Sequence, residues 1–420
     1  MRLVSLTFLA LCLPAAAAVY RMLPLRARTG ALLILDFAFY GFAAGKAAWL
    51  LPLLAALTAL AANRRPARGL FAAGLIALFF VCRAVGAPPM GLAFFVLRAV
   101  GFLLDVREKQ PAAAVVSYLL FFPTVTMGPL FDFDTYRAGL AAPFDAGRCA
   151  DAVCRLARGL VRKFVFADPL LTAFRDFAMH GTTLGAAATL VTFSLYLYFD
   201  FAGYSDIAVG VGGIFGFDLP ENFDYPYLSR SVGEFFRRWH ATLGRWLFRY
   251  VYLPLGGSRR GRARTLLALA AVWLCTALWH GATACYLLWG AYFFLLLAAE
   301  KLCFAKGFRI GTLPTLALVL PGWVFFFSDS PGTALGFFGR LFCRGGTLLY
   351  SRADFYDVLR YAPLMLLSAL AATPLLRDAL RALCRRLGDL PKQAAALCGF
   401  ALALAYAAAG GYTPFLYASY

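Results

Sequence analysis

Apolar runs long enough to cross a lipid bilayer alternate along this chain with short clusters of Arg and Lys, and that alternation points to a helical membrane protein. Thirty of the 40 basic residues fall in seven stretches, 21–28, 64–68, 107–109, 148–163, 230–264, 301–309 and 377–392, each between apolar runs. A spanning helix needs roughly 20 residues, and helices or closed barrels alone can satisfy a backbone immersed in lipid. With 62% apolar and 15% charged residues, the chain lies outside the range of soluble domains, which average roughly 45–50% and 25%. A soluble enzyme, a disordered chain and a secreted disulfide scaffold are excluded. We therefore expect an all-α, polytopic transmembrane protein, and at about 20 residues per span its length allows roughly 11–13 spans.

The formal charge of +19 taken alone fits nucleic acid or anionic lipid. Its clustering at the ends of apolar runs is what the positive-inside rule predicts, so the charge reads as topology and nucleic acid is not an expected partner. With all seven clusters in the cytoplasm, the N-terminus lies outside, and spans are expected at 3–20, 30–44, 47–62, 70–87, 90–104, 359–375 and 393–409. The first 20 residues fit a retained span better than a cleaved leader. Segments 112–130 and 165–217 contain Pro and Gly breaks that fit broken or re-entrant helices as well as full spans. The expected organisation is one integral membrane domain over 1–420, with N-terminal spans in 1–110, a core in 111–310, C-terminal spans in 311–409 and an outer tail at 410–420. The Gly-rich GVGGIFG, 210–216, reads as close helix packing rather than a phosphate loop. The ten cysteines are scattered singly, and no metal-ligand spacing occurs.

The three histidines narrow the search for chemistry, because two stand in matching pairs, Trp239-His240 and Trp279-His280. His280 interrupts a 36-residue apolar stretch, Thr265 to Glu300. As one helix that stretch would be about 54 Å long against roughly 30 Å of hydrocarbon. Gly281 marks the expected break, which leaves His280 inside the membrane as either a packed or a functional residue. His240 lies in a segment, Tyr225 to Arg264, with nine Arg and two Trp, the pattern of amphipathic helices at the cytoplasmic interface. Its arginines, Arg237, Arg238, Arg245 and Arg249 among them, suit anchoring to phospholipid head groups, the favoured reading for most of them, and also permit docking of an anionic donor such as a phosphopantetheine carrier protein or coenzyme A. Asp200 and Asp206 interrupt the aromatic run YLYFDFAGYSDIAVG and must be protonated or paired; structural pairing is the favoured reading over a functional role. His180, in the polar bend HGTT, reads as a loop residue.

The block YLYFDFAGYSDIAVGVGGIFGFDLPENFDYPYLSRSVGEFFRRWHATLGRWLFRYVYLPLGG, 196–257, closely resembles the signature of bacterial membrane-bound O-acyltransferases of the alginate O-acetyltransferase type. LWHGA at 278–282 is similar to the segment carrying that family's active-site histidine. Fainter echoes are PPMGLAF (88–94), FFPTVTMGPL (121–130), LARGLVRKFVFADPL (156–170), GWVFF (322–326) and PFLYASY (414–420). Four positions depart from the usual pattern: Phe236 replaces a Trp, Phe248 and Arg249 replace an Arg-Asp pair, and Phe327 replaces an Arg.

The resemblance implies re-entrant and interfacial helices around a funnel or tunnel joining the two membrane faces. It further implies a cytoplasmic thioester donor, acetyl-coenzyme A or an acyl carrier protein, used as co-substrate with no bound cofactor, and an acceptor hydroxyl outside. His280 falls on the principal histidine and His240 on the second, cytoplasm-side one, with Trp279, Trp239, Asp200 and Asp206 as supporting or tunnel residues. Tyr417 occupies the place of a terminal tyrosine thought to receive the acyl group before an extracytoplasmic, esterase-like partner takes it. The expected enzyme is thus an acyltransferase of the bacterial cytoplasmic membrane acting on a cell-envelope polysaccharide. Two rivals stand beside it: D-alanyl transfer from a carrier protein to teichoic acid, and, from another class, a proton-coupled transporter using the histidines as a relay. The transporter leads one to expect repeated halves, which the sequence does not show.

Overall fold

The structure of the protein, a computed structural model, describes residues 4, 5, 7–86, 88–303, 309–409 and 413–416. Every regular element among them is helical. Among the described residues six helices are long and apolar enough to cross a membrane: Leu25–Ala44, Ala67–Ala84, Thr183–Phe215, Gly261–His280, Ala284–Cys303 and Leu390–Ala408. Arg352–Ala371 with Leu375–Leu387, bent by 64°, makes a seventh if the pair is one span. That is fewer than the 11–13 the length allows, because much of the apolar sequence forms shorter helices such as Phe8–Met22, Leu50–Ala62 and Thr312–Phe327. Leu92–Asp105 is the clearest case, with every residue from Leu92 to Leu103 buried. A helix enclosed by protein has no need to match the thickness of the lipid.

Within 165–217 the expected interruption is confined to 179–182. Beyond it, Thr183–Phe215 runs unbroken for 33 residues, about 50 Å. Its glycines are points of contact rather than breaks. A Cβ on Gly210 would lie 2.6 Å from the Leu156 nitrogen, and one on Gly159 would lie 2.7 Å from the Ile207 nitrogen. The helix Ala146–Val161 therefore meets the end of the long helix backbone to backbone, the close packing that small residues allow.

The chain divides into two compact units: Met1–Val161 with Gly203–Glu221 and Gln393–Tyr420, and Arg162–Ala202 with Asn222–Lys392. In the first, Arg98 is buried and donates to the carbonyls of Tyr118 (3.0 Å) and Thr124 (3.2 Å), fixing the turn that follows Ala112–Leu120. Gly91, at φ 81°, lies so close to this turn that a Cβ there would sit 2.6 Å from the Val125 oxygen. Tyr204 donates to the Pro123 carbonyl at 3.3 Å, bonds Thr126, and carries the Phe415 ring against its own at 5.3 Å between centroids. Gly91 and the segment 121–130 thus meet in this unit, and Phe415 packs on the same Tyr204 that bonds 121–130.

In the second unit Lys163 is fully buried between Asp200 (2.7 Å) and Asp168 (2.9 Å). His180 does lie in a loop, but it is pinned there. Its Nδ1 faces Asp354 and its Nε2 faces Asp357, each at 2.9 Å, tying the loop before Thr183–Phe215 to the start of Arg352–Ala371.

Candidate active site

Gly261–His280 and Ala284–Cys303 are the two halves of the 36-residue apolar stretch, and the chain reverses between them at 281–283, the break expected at Gly281. A Cβ on Gly290 would lie 2.9 Å from the Ala277 Cβ and equally close to the Trp273 oxygen. The returning helix consequently packs tightly on the first, and its aromatic residues reach back over His280.

His280, the last residue of the first helix, is 3% exposed. Aromatic rings surround it: Trp279 at 4.8 Å between centroids, Trp289 at 5.1 Å, Phe326 at 5.2 Å and Tyr286 at 5.9 Å. Phe326 belongs to the GWVFF segment, as does Trp323, which lies 5.0 Å from Trp239 and 6.4 Å from Trp289. One aromatic network in the second unit therefore runs from Trp239 through Trp323 and Trp289 to His280. A low-dielectric wall of this kind strengthens any electrostatic contact made inside it.

His240 reaches the same network from the other side. It caps the helix Ala241–Leu247, is buried, and stands edge to face with Phe201 at 4.6 Å. Trp279 also lies 6.1 Å from it. Burial pushes the His240 pKa far below the ordinary value, to about 3, so the ring is neutral near pH 7. Its Nδ1 meets the side-chain oxygen of Asn222 at 3.0 Å.

Trp239 stacks on Phe235 at 5.5 Å and contacts Tyr198 at 6.3 Å. Tyr198, two positions before Asp200, and Phe201, directly after it, thus line the Trp239-His240 pair. Asp200 itself is turned to Lys163. Asp206, in the first unit, accepts from Arg155 at 2.6 Å and Arg158 at 2.8 Å, while Arg155 also holds Glu221 through two bonds of 2.6 Å. Both carboxylates are in ion pairs. Three of the five basic residues in 148–163 accordingly serve as counter-charges, although the sequence reading used all five as topology markers.

The arginines of the basic segment divide by environment. Arg237, Arg245 and Arg249 are exposed, whereas Arg238 is partly buried and paired with Glu234 at 2.7 Å. Arg259, Arg260, Arg262 and Arg264 extend the exposed basic surface at the start of Gly261–His280. Two of the departures from the family pattern find aromatic surroundings. Phe327 packs among Phe193, Phe337 and Phe174 at 4.9–5.6 Å, and Phe236 sits 4.7 Å from both Trp273 and Phe293. Tyr417 lies outside the described residues; Phe415, two positions earlier, is buried against Tyr204.

Asn222, Trp289 and Tyr286 contribute to the site without having been singled out in the sequence. Each is an unremarked position in an aromatic-rich segment, and its role depends on which element folds back over which.

Comparisons with known proteins identify the family. The model of the membrane-bound O-acyltransferase family, MBOAT, matches residues 64–318. A probable alginate O-acetylase of Pseudomonas syringae is 36% identical over 279 residues, covering 61% of this chain and 52% of that protein. A peptidoglycan O-acetyltransferase of Helicobacter pylori is 29% identical over 292 residues, 59% of this chain and 55% of that one. A teichoic acid D-alanyltransferase of Bacillus subtilis is 26% identical over 222 residues, 48% and 56% of the respective chains. The alignments span about half the length of these curated relatives. The chain belongs to the membrane-bound O-acyltransferase family, and both site histidines lie within the matched region.

Proposed function

We propose that this membrane-bound O-acyltransferase passes an acetyl group from a cytoplasmic thioester, acetyl-coenzyme A or an acylated carrier protein, to hydroxyl groups of a cell-envelope polysaccharide outside the bacterial cytoplasmic membrane. The observation that carries the reading is the placement of Trp279 against both imidazoles, 6.1 Å from His240 and 4.8 Å from His280, which gathers the two histidines of a family member into one buried aromatic site.

In this reading His280 is the general base. The acceptor hydroxyl gives its proton to the imidazole as its oxygen attacks the thioester carbonyl; the carbon–sulfur bond breaks, and the proton leaves with the thiolate. His240 acts on the donor side, next to the exposed Arg237, Arg245 and Arg249, whose charge suits a phosphorylated or carrier-borne donor. Tyr417 is the proposed intermediate acceptor. Phe415, two positions earlier, is buried against Tyr204, and an extracytoplasmic esterase-like transferase would take the group from the phenol oxygen.

Acetyl is preferred to D-alanyl because the alginate and peptidoglycan O-acetylating relatives share more of the sequence, 29–36% against 26% identity. The test is mass analysis of envelope glycans from cells with and without the gene. Loss of ester-linked acetyl, restored by the wild-type gene, is expected; loss of D-alanine or an unchanged acyl content would overturn the reading.

A further inference from the structure

The chain turns at His240 in a conformation that few side chains adopt. The backbone there is left-handed, φ 46° and ψ 46°, at the boundary of the helix Ala241–Leu247. Residues other than glycine are uncommon in this region, and their presence calls for a cause in the surrounding structure. The cause is the segment that carries Asn222. The Ala241 N–H donates to the Asn222 carbonyl at 2.9 Å, and the Asp224 N–H donates to the Arg238 carbonyl at 3.0 Å, so the two stretches are fastened on both sides of the turn.

The Asn222 side chain completes the arrangement. Asn222 is 1% exposed, and its Oδ1 accepts from the Thr242 N–H at 3.2 Å and the Thr242 hydroxyl at 2.9 Å while meeting His240 Nδ1 at 3.0 Å. A backbone N–H can only donate, so the amide atom facing it is the oxygen and not the nitrogen. An amide oxygen carries no hydrogen. The hydrogen in the bond to His240 must therefore come from the imidazole, which places the ring proton on Nδ1 and makes Nε2 the basic nitrogen of the neutral ring. Phe201, edge to face at 4.6 Å and 84°, holds the plane of that ring.

We propose that Asn222 is a positioning residue that locks His240 in its Nδ1-protonated tautomer, so that Nε2 is the nitrogen presented to the acyl donor or its leaving thiol. The tautomer follows from the geometry alone; its use in catalysis rests on the acyl-transfer reading above.

The test uses the full chain in lipid nanodiscs with heavy-nitrogen-labelled histidine. Only three histidines are present, and the signals lost in His240→Gln identify this one. In the wild-type protein we expect a protonated Nδ1 and an unprotonated Nε2. Asn222→Asp keeps an acceptor in place and should keep this pattern. Asn222→Leu removes the acceptor and should move the proton toward Nε2, with kcat for acyl transfer falling at least tenfold and KM for the acyl donor little changed. Thr242→Val is a milder companion if Asn222→Leu does not fold: with one of the two bonds that orient the amide removed, a measurable share of His240 should appear in the other tautomer. An Nε2-protonated ring in the wild-type protein would overturn the proposal, as would an unchanged tautomer in folded Asn222→Leu. The expected tautomer together with no acyl transfer by the wild-type protein would instead sink the functional reading and leave the tautomer assignment standing.

Discussion

The indole of Trp279 stands 6.1 Å from the imidazole of His240, at 61° to it, while its own chain neighbour is His280. One aromatic ring thus touches a histidine from the basic interfacial segment and a histidine from the end of an apolar helix. The Trp-His repetition that drew attention in the sequence corresponds to a shared wall.

His280→Ala should lower ester formation by about 10²–10⁴-fold, the usual contribution of a positioned general base. Polymer-bound ester, measured in cells producing equal amounts of protein, checks this. Wild-type ester levels in the variant would remove His280 from the mechanism.

Tyr417→Phe keeps an aromatic side chain and deletes the nucleophilic oxygen. With protein level and folding unchanged, ester on the final polymer should disappear, because a phenyl ring cannot carry the acyl group. If the variant acylates at the normal rate, the tail has no covalent role and acts at most as an anchor.

Lys163 is shared by two carboxylates in a site closed to solvent. Lys163→Met strands their charge and should destabilise the fold by about 3–5 kcal/mol, with a second change, Asp200→Asn, recovering part of the loss. Thermal unfolding of the detergent-solubilised protein measures both. Equal Tm values for wild type and Lys163→Met would show that the triad contributes no net stability.

Acid should weaken the protein through His240. Its folded pKa, about 3, lies below the ordinary value of about 6.5. Above that ordinary value the ring is neutral in both states and adds nothing. Between the two values the unfolded chain takes up a proton that the folded chain does not, so stability falls as pH falls. Across this window the Tm of His240→Gln should decline less steeply than that of the wild type; parallel curves would contradict the assignment.

The features legible in the sequence are those set by length against bilayer thickness and by the placement of small residues. The break after His280 is one, because a 36-residue apolar run cannot be a single crossing. The close packing of GVGGIFG is another, since small residues in an apolar run have few other uses. The number of full-length spans was less legible. Hydropathy does not distinguish a helix facing lipid from one enclosed by protein, as Leu92–Asp105 shows. The importance of Asn222 was hidden for a different reason. It lies 18 residues before His240, and only the return of the chain through 232–238 brings the two together. His180 was read as an ordinary loop residue because its partners, Asp354 and Asp357, come more than 170 positions later.

Arg155 is shared between Asp206 and Glu221, and Lys163 between Asp200 and Asp168. Each cation therefore ties together positions that are far apart along the chain. During divergence the buried Lys163 set is not free to drift one member at a time, because an intermediate that loses the lysine leaves carboxylates stranded in the interior, whereas Asp206 keeps Arg158 when Arg155 is lost. Descendants of this chain should exchange the charges of the Lys163 set together or retain them all, and a homologue lacking Lys163 is expected to have lost Asp200 as well.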